Sequence, residues 1–259
     1  MNFIVNEHKT TPLLIHGNGN GVTGNVYNEL KLHQFNKPPQ SPISDSSKYT
    51  FISWKGGNIE GKKTIFETSG DQYGFRVLNV KWENIAGFWK ASQQKVTQTL
   101  EAINNGTINT EYVFWCDNSD VFFLDNPDVF FERYKEIYGD YDFVWNAERN
   151  NYPRPNHKKW GGCNVPQEIE NLLVEVIEND NTYNSSFRYL NSGCAFGKTA
   201  TLKKMLEYAS TLIGNSRIND QGLMRMAQYK FRNETVVDRE CKLFCCLQDV
   251  KDNDVTIKL

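Results

Sequence analysis

The chain has 259 residues and a formal net charge of −2, with 29 Lys and Arg against 31 Asp and Glu. That length suits one large α/β domain or two small ones, and the near-balance of charge removes any general electrostatic case for nucleic acid or an anionic membrane. With 16 Phe, 12 Tyr and six Trp, the chain can fill a core and still line a pocket.

The six cysteines (Cys116, Cys163, Cys194, Cys241, Cys245 and Cys246) lack zinc-ligand spacing. Two of them are adjacent, which suits a reduced apolar segment better than a disulfide framework. No basic leader with a long apolar run opens the chain, and no stretch approaches membrane-spanning length. The expectation is a soluble protein of the cytoplasm or another reducing compartment, in which the sequons at Asn105, Asn184 and Asn233 are chance features of an Asn-rich chain.

In chain order, Phe3–Val5 and Pro12–Ile15 read as strands. The second runs into His16-Gly-Asn-Gly-Asn-Gly21, where glycines let the backbone approach a ligand and His16 stands as a strand-end imidazole. A plain Gly/Asn turn beside one His is the competing description. Residues 23–34 suit a short helix. Lys37 to Ser47, with three prolines, four serines and no apolar periodicity, reads as a linker. It divides an appended segment, 1–36, from a core over 48–259.

The core alternates. Strands are expected over 49–54, 75–80, 112–116 and 141–145, and helices over 61–69, 85–103 and 129–138. Asn150–Pro166 is a Pro-, Gly- and aromatic-rich loop, and 167–177 is helical. Residues 187–197 combine a strand with a glycine turn. Helices over 199–212 and 219–229 follow, then short strands over 235–238, 241–247 and 255–259. Strands separated by helices argue for a single α/β domain with a mainly parallel central sheet flanked by helices.

The stretch with most chemistry is Glu111 to Phe123. Its apolar run ends on Asp117-Asn-Ser-Asp120, and ligands of open α/β sheets bind at the carboxyl ends of strands. Two carboxylates there can hold a divalent cation through hard oxygen ligands. Asp and Asn are equally ordinary turn residues, so the pair alone leaves both readings open.

Several short segments, spread over most of the chain, resemble the glycosyltransferase domain of procollagen lysyl hydroxylases. They are Gln94-Lys-Val96, Asp117-Asn-Ser-Asp-Val121, Asn146-Ala-Glu148, Tyr189-Leu-Asn-Ser-Gly193 with Gly197, Asp220-Gln221, and Asp238 with Lys242-Leu-Phe244. His16-Gly-Asn-Gly19 matches a further motif. The resemblance implies a GT-A fold that uses UDP-sugars with manganese. One departure is large: in that family the His-Gly-Asn-Gly motif follows all the others, whereas here it comes first. Joining Leu259 to Met1 restores the family order, so the chain reads as circularly permuted, with adjacent termini and residues 37–47 bridging the old ends.

By the resemblance, Asp117, Asp120 and His16 are the metal ligands, and carboxylates with one imidazole suit manganese better than calcium or structural zinc. Trp82 takes the place of a uracil-stacking aromatic, Lys95 reaches the phosphates, and Ser53, Asn18 and Gly19 complete the nucleotide site. Asp220 and Asn191 face the reacting sugar, with Glu148 and Tyr152 flanking the pocket. Plainer descriptions stand beside these: Trp82 as core, Lys95 as a solvated lysine, Asn191 as a turn residue, and Asp220 or Asn219 as a helix cap. The family's run of aspartates is thinned here to Asn219-Asp220, which puts acceptor handling in doubt. Cys116 and Cys194 read as packing residues.

The expected function is transfer of a hexose, glucose or galactose, from a UDP-sugar to a hydroxyl such as that of hydroxylysine or galactosyl-hydroxylysine in a collagen-like chain. A transferase with a non-protein acceptor, and a degenerate binding domain without turnover, are the alternatives. No membrane or nucleic-acid partner is expected.

Overall fold

The computed structural model describes residues 2–18, 24–38, 41–45, 47–55, 61–80, 82–83, 85, 87–154, 165–180, 184–214 and 217–258. Its elements run β1 (Asn2–Val5), β2 (Leu14–His16), α1 (Asn25–Phe35), β3 (Tyr49–Trp54), α2 (Ile65–Tyr73), β4 (Val77–Val80), α3 (Phe88–Asn104), β5 (Tyr112–Cys116), β6 (Val121–Phe123), α4 (Pro127–Tyr138), β7 (Phe143–Glu148), α5 (Gln167–Asp180), β8 (Tyr189–Lys198), α6 (Thr199–Thr211), α7 (Asp220–Lys230), β9 (Thr235–Val237), β10 (Phe244–Cys246) and β11 (Val255–Lys258).

Six strands form the central sheet in the order β4-β3-β5-β8-β7-β9. Five run parallel, and β8 runs antiparallel to both of its neighbours. The molecule is therefore mixed α/β, with a mostly parallel central sheet flanked by helices. Side chains alternate across β5: Val113 and Trp115 join the core under α3, α5, α6 and α7, while Phe114 and Cys116 join the one under α2 and α4. Both faces are covered, which is why β5 reads in sequence as an unbroken apolar run.

Local chemistry fixes several boundaries. Thr64 and Glu67 form a reciprocal capping box, so α2 starts at Ile65 rather than at Gly61, and it ends on Gly74 at φ +75°. Asn126 caps α4 with Pro127 in its first turn. The largest difference from expectation lies at Asn191-Ser-Gly193. No turn forms there; β8 continues through it as a bulge. Trp145 pairs with Ala195 while Asn146 pairs with Asn191, so Ser192, Gly193 and Cys194 sit outside the β7 ladder.

The described residues of the 1–36 segment share the main core through Phe3, Val5, Ile15, Tyr27 and Leu30. In the expected linker, the described residues 41–45 are docked rather than loose. Ile43 is buried and donates its N–H to Tyr73, and Ser44 N–H donates to Asp128 at 2.6 Å. β1 pairs antiparallel with β11, setting Asn2 opposite Lys258. β2 lies between β10 and β6 in a second, three-stranded sheet. Asp238, fully buried, shapes the approach to β10 by accepting from the backbone N–H of Lys242, Leu243 and Phe244 and from the Tyr138 hydroxyl.

Phe114 centres the aromatic layer on the α2/α4 face. Its ring stacks on Phe51 at 4.7 Å and meets Phe196 at 4.3 Å and Phe130 at 5.2 Å. Phe114→Ala is expected to cost about 3–5 kcal/mol of unfolding free energy in a urea titration, and a loss below about 1 kcal/mol would show that the layer repacks around the gap.

Candidate metal centre

The acidic turn after β5 is held from both sides. The Asn118 side chain donates to the Trp54 carbonyl, and the Asn118 backbone carbonyl accepts from Phe66 N–H. Asp117 N–H donates to Gly193 on the bulge at 2.7 Å. β6 then pairs with β2, setting Val121 opposite His16, and Gly17 N–H donates to the Asp120 carbonyl at 2.8 Å. Strand pairing therefore brings an imidazole from the start of the chain to an acidic pair in its middle.

The His16 Nε2 atom lies 3.7 Å from Asp117 Oδ2 and 3.6 Å from Asp120 Oδ1. These separations are too long for hydrogen bonds, and the three ligand atoms all fall within 4.8 Å of one another. Two hard carboxylate oxygens and one imidazole nitrogen converging in this way could hold a metal ion. His16 is 2% exposed, and its Nδ1 has no hydrogen-bond partner among the described residues, so packing aims the ring. A Cβ added at Gly193 would fall on that ring; only glycine lets the bulge lie flat against it.

Asp117 divides its two oxygens. Oδ2 faces His16, while Oδ1 accepts from Lys95 at 2.5 Å. Lys95 also lies 3.3 Å from Asp220 Oδ2. Burial disfavours the ammonium, but the charges of Asp117 and Asp220 outweigh it and push its pKa up. Lys95 is thus a fixed cation between two acids, not a solvated lysine.

These groups border a cavity of about 390 Å³ whose wall includes Trp82, Asn18, Asn191 and Asp220. Trp82 is half-buried, and the neighbouring Glu83 backbone is held at both ends by the Gln94 amide. Asn219, not Asp220, caps α7 by accepting from Gly222 N–H, which leaves the Asp220 carboxylate to Lys95 and to the Ser192 hydroxyl at 2.9 Å. Asn191 is a strand residue at the bulge, not a turn residue; its amide donates to Glu148 and its oxygen accepts from Gly193 N–H.

One expected residue lies elsewhere and another cannot be placed among the described residues. Ser53 is fully buried, donates to the Cys116 carbonyl and does not line the cavity, and Gly19 falls outside the described residues. Sequence reading missed Gln221 and Ser192 as wall residues and gave Glu148 only a flanking place. The available signal for Glu148 was an acid ending a strand whose side chains are all buried. Cys116, Cys194, Cys241, Cys245 and Cys246 are buried and free. Burial raises the Cys194 thiol well above its ordinary value, which suits packing rather than nucleophilic work. Cys163 and most of the 150–166 loop fall outside the described residues. Among the described residues, no helix is long and apolar enough to cross a membrane.

Compared with known proteins, the chain matches no family model and no curated protein.

Gly193→Ala forces the bulge off the His16 ring, so divalent-cation affinity by calorimetric titration is expected to fall at least about tenfold, the scale of a disturbed ligand-orienting contact. Unchanged affinity in a folded variant would mean that His16 is not a ligand.

Glu148 supplies a second test. Burial pushes its carboxyl from 4.5 up to about 7, against hydrogen bonds from Gln221, Asn191 and Asn18 and the Arg225 charge. A folded value above the unfolded one means that the native state binds this proton more tightly. The group therefore favours folding increasingly as pH falls from about 7 towards 4.5, and that gain disappears as pH rises again. Relative to Glu148→Gln, the wild type should gain about 3 kcal/mol of unfolding free energy across this window, read by urea denaturation at matched pH.

Proposed function

We propose that this protein is a metal-dependent glycosyltransferase that moves a hexose from a UDP-sugar to a hydroxyl acceptor. The observation that carries the reading is the convergence of His16 on Asp117 and Asp120 at the edge of a cavity large enough for a small-molecule ligand. The motif resemblance named those three residues as one ligand set despite their separation along the chain. The reading includes a GT-A fold with permuted motif order, to which the Asn2–Lys258 pairing is congenial.

In this reading His16, Asp117 Oδ2 and Asp120 hold manganese, and the metal, when bound, neutralises charge building on the diphosphate leaving group. Lys95 lies beside the same position and adds a fixed positive charge. The half-buried ring of Trp82 offers a face for the uracil, while Asn18 and Asn191 border the sugar. Transfer breaks the bond from the anomeric carbon to the phosphate oxygen and forms one to the acceptor oxygen, whose proton must leave. Asp220 is the cavity-wall carboxylate outside the proposed metal set, and its ties to Lys95 and Ser192 hold it facing the reacting centre. The acceptor class includes hydroxylysine or its galactoside in a collagen-like chain.

One observation favours a second reading, sugar-nucleotide binding without turnover. Asn219 spends its side chain as a helix cap, so α7 begins with a single carboxylate, and that carboxylate is already engaged.

The deciding measurement is UDP release from UDP-glucose and UDP-galactose with and without manganese. Metal-dependent release is expected in the wild type, falling about a hundredfold or more in Asp117→Ala. Tight UDP binding with no release from either donor would favour the second reading.

A further inference from the structure

Behind the cavity wall lies a carboxylate that the reaction outlined above does not use. Glu148 ends β7 and is 2% exposed. Three amides from separate parts of the chain, the turn after β2, strand β8 and helix α7, donate to it. The Asn18 Nδ2 and Asn191 Nδ2 atoms reach Oε2 at 2.7 and 3.1 Å, and the Gln221 Nε2 atom reaches Oε1 at 2.5 Å. All three amide residues line the cavity, whereas Glu148 does not.

A side-chain amide has a donor end and an acceptor end, so fixing one end fixes the other. With its nitrogen on Glu148, Asn191 turns its oxygen to Gly193 N–H at 2.8 Å. With its nitrogen on Glu148 and the Tyr152 carbonyl, Gln221 turns its oxygen to Ser192 N–H at 3.1 Å. Ser192 and Gly193 lie in the bulge outside the β7 ladder, so these two side-chain oxygens take over from the missing strand partner. The bulge then holds the metal ligands: the Gly193 carbonyl accepts from Asp117 N–H, and its Cα lies against the His16 ring.

We propose that Glu148 is the positioning residue of the metal centre, a buried acceptor that sets the sense of the Asn191 and Gln221 amides and through them seats the bulge that aims His16 and Asp117. This rests on reading the His16, Asp117 and Asp120 cluster as a metal site. The physical requirement is an acceptor on both oxygens. An amide at position 148 would turn an –NH2 group against at least one of the incoming donors, and the wrong-way amide would strand a bulge N–H.

The test uses the whole chain at about pH 8, above the raised Glu148 value of about 7, with two independent readouts. Amide hydrogen exchange at Ser192 and Gly193 is compared with that of Phe196 on the same strand, and Mn2+ affinity is followed by electron paramagnetic resonance. In Glu148→Gln, exchange at Ser192 and Gly193 should rise at least about tenfold while Phe196 stays protected, and Mn2+ affinity should fall by a similar factor, the scale of a lost ligand-orienting contact. The double variant E148Q/Q221E restores a donor–acceptor match between the two positions and should recover part of both. Should E148Q not fold, Glu148→Asp withdraws the acceptor by one methylene and is read in the same way, with smaller changes. A folded variant with unchanged bulge exchange and wild-type Mn2+ affinity overturns the proposal. If the wild type itself binds no Mn2+, the metal reading fails and the claim about the metal centre with it, while the exchange data still decide whether Glu148 seats the bulge.

Discussion

Everything at the candidate site depends on one close approach, the Gly193 backbone lying flat against the His16 ring. Two constraints meet there. β8 must leave its β7 partner for three residues to reach the ring, and the ring must come in on β2, a strand of the second sheet that pairs with β6 just past Asp120. The central sheet supplies Asp117 from the end of β5, and the smaller sheet supplies His16. The His16, Asp117 and Asp120 group is therefore a seam between two sheets, and its geometry is only as good as their relative placement. Asp238 helps fix that placement by gathering the backbone N–H groups of Lys242, Leu243 and Phe244 at the start of β10, the parallel partner of β2.

Charge is the second constraint. Asp117, Asp120 and Asp220 gather at one end of the sheet, and carboxylates crowded together in a poorly solvated site repel. Lys95 relieves part of this by standing between Asp117 and Asp220. It engages only one oxygen of Asp117, which leaves the other facing His16. A lysine answering both oxygens would fill the site; one answering a single oxygen orients the carboxylate instead. The stacking of the Lys95 ammonium near the Trp54 ring, at 5.2 Å, further limits where it can go.

What could be read from sequence divides along the range of the interactions. β5 and its acidic turn were legible because a strand covered on both faces shows as an apolar run, and its end shows as the first charges. α7 was legible through its local cap, although only the structure distinguishes Asn219 from Asp220 in that role, whereas α4 starts two residues before its expected position because Asn126 caps it with Pro127 in the first turn. The Asn191-Ser-Gly193 segment was misread as a turn because those residue types favour turns when nothing else holds the backbone. Here side-chain oxygens from Asn191 itself and from Gln221 hold it as a bulge, and the second of these is a contact no local pattern encodes. His16 was legible only through a motif resemblance, and the docking of Ile43 not at all, since one apolar residue in a Pro/Ser stretch carries no periodicity.

Glu148 shows why buried polar groups deserve a separate reading from apolar ones. An acid at the end of a covered strand is costly unless its oxygens are matched, and here the match comes from three amides that all line the cavity. A pure packing solution would have placed a leucine or valine at this position and left Asn18, Asn191 and Gln221 free to choose their orientation. Asn191 and Gln221 would then lose the arrangement that puts an oxygen on a bulge N–H. The unfavourable burial of one carboxyl, visible in its raised pKa, is thus offset in the uniqueness of the wall it supports. That exchange of stability for a defined geometry is expected where chemistry, rather than folding, sets the residue.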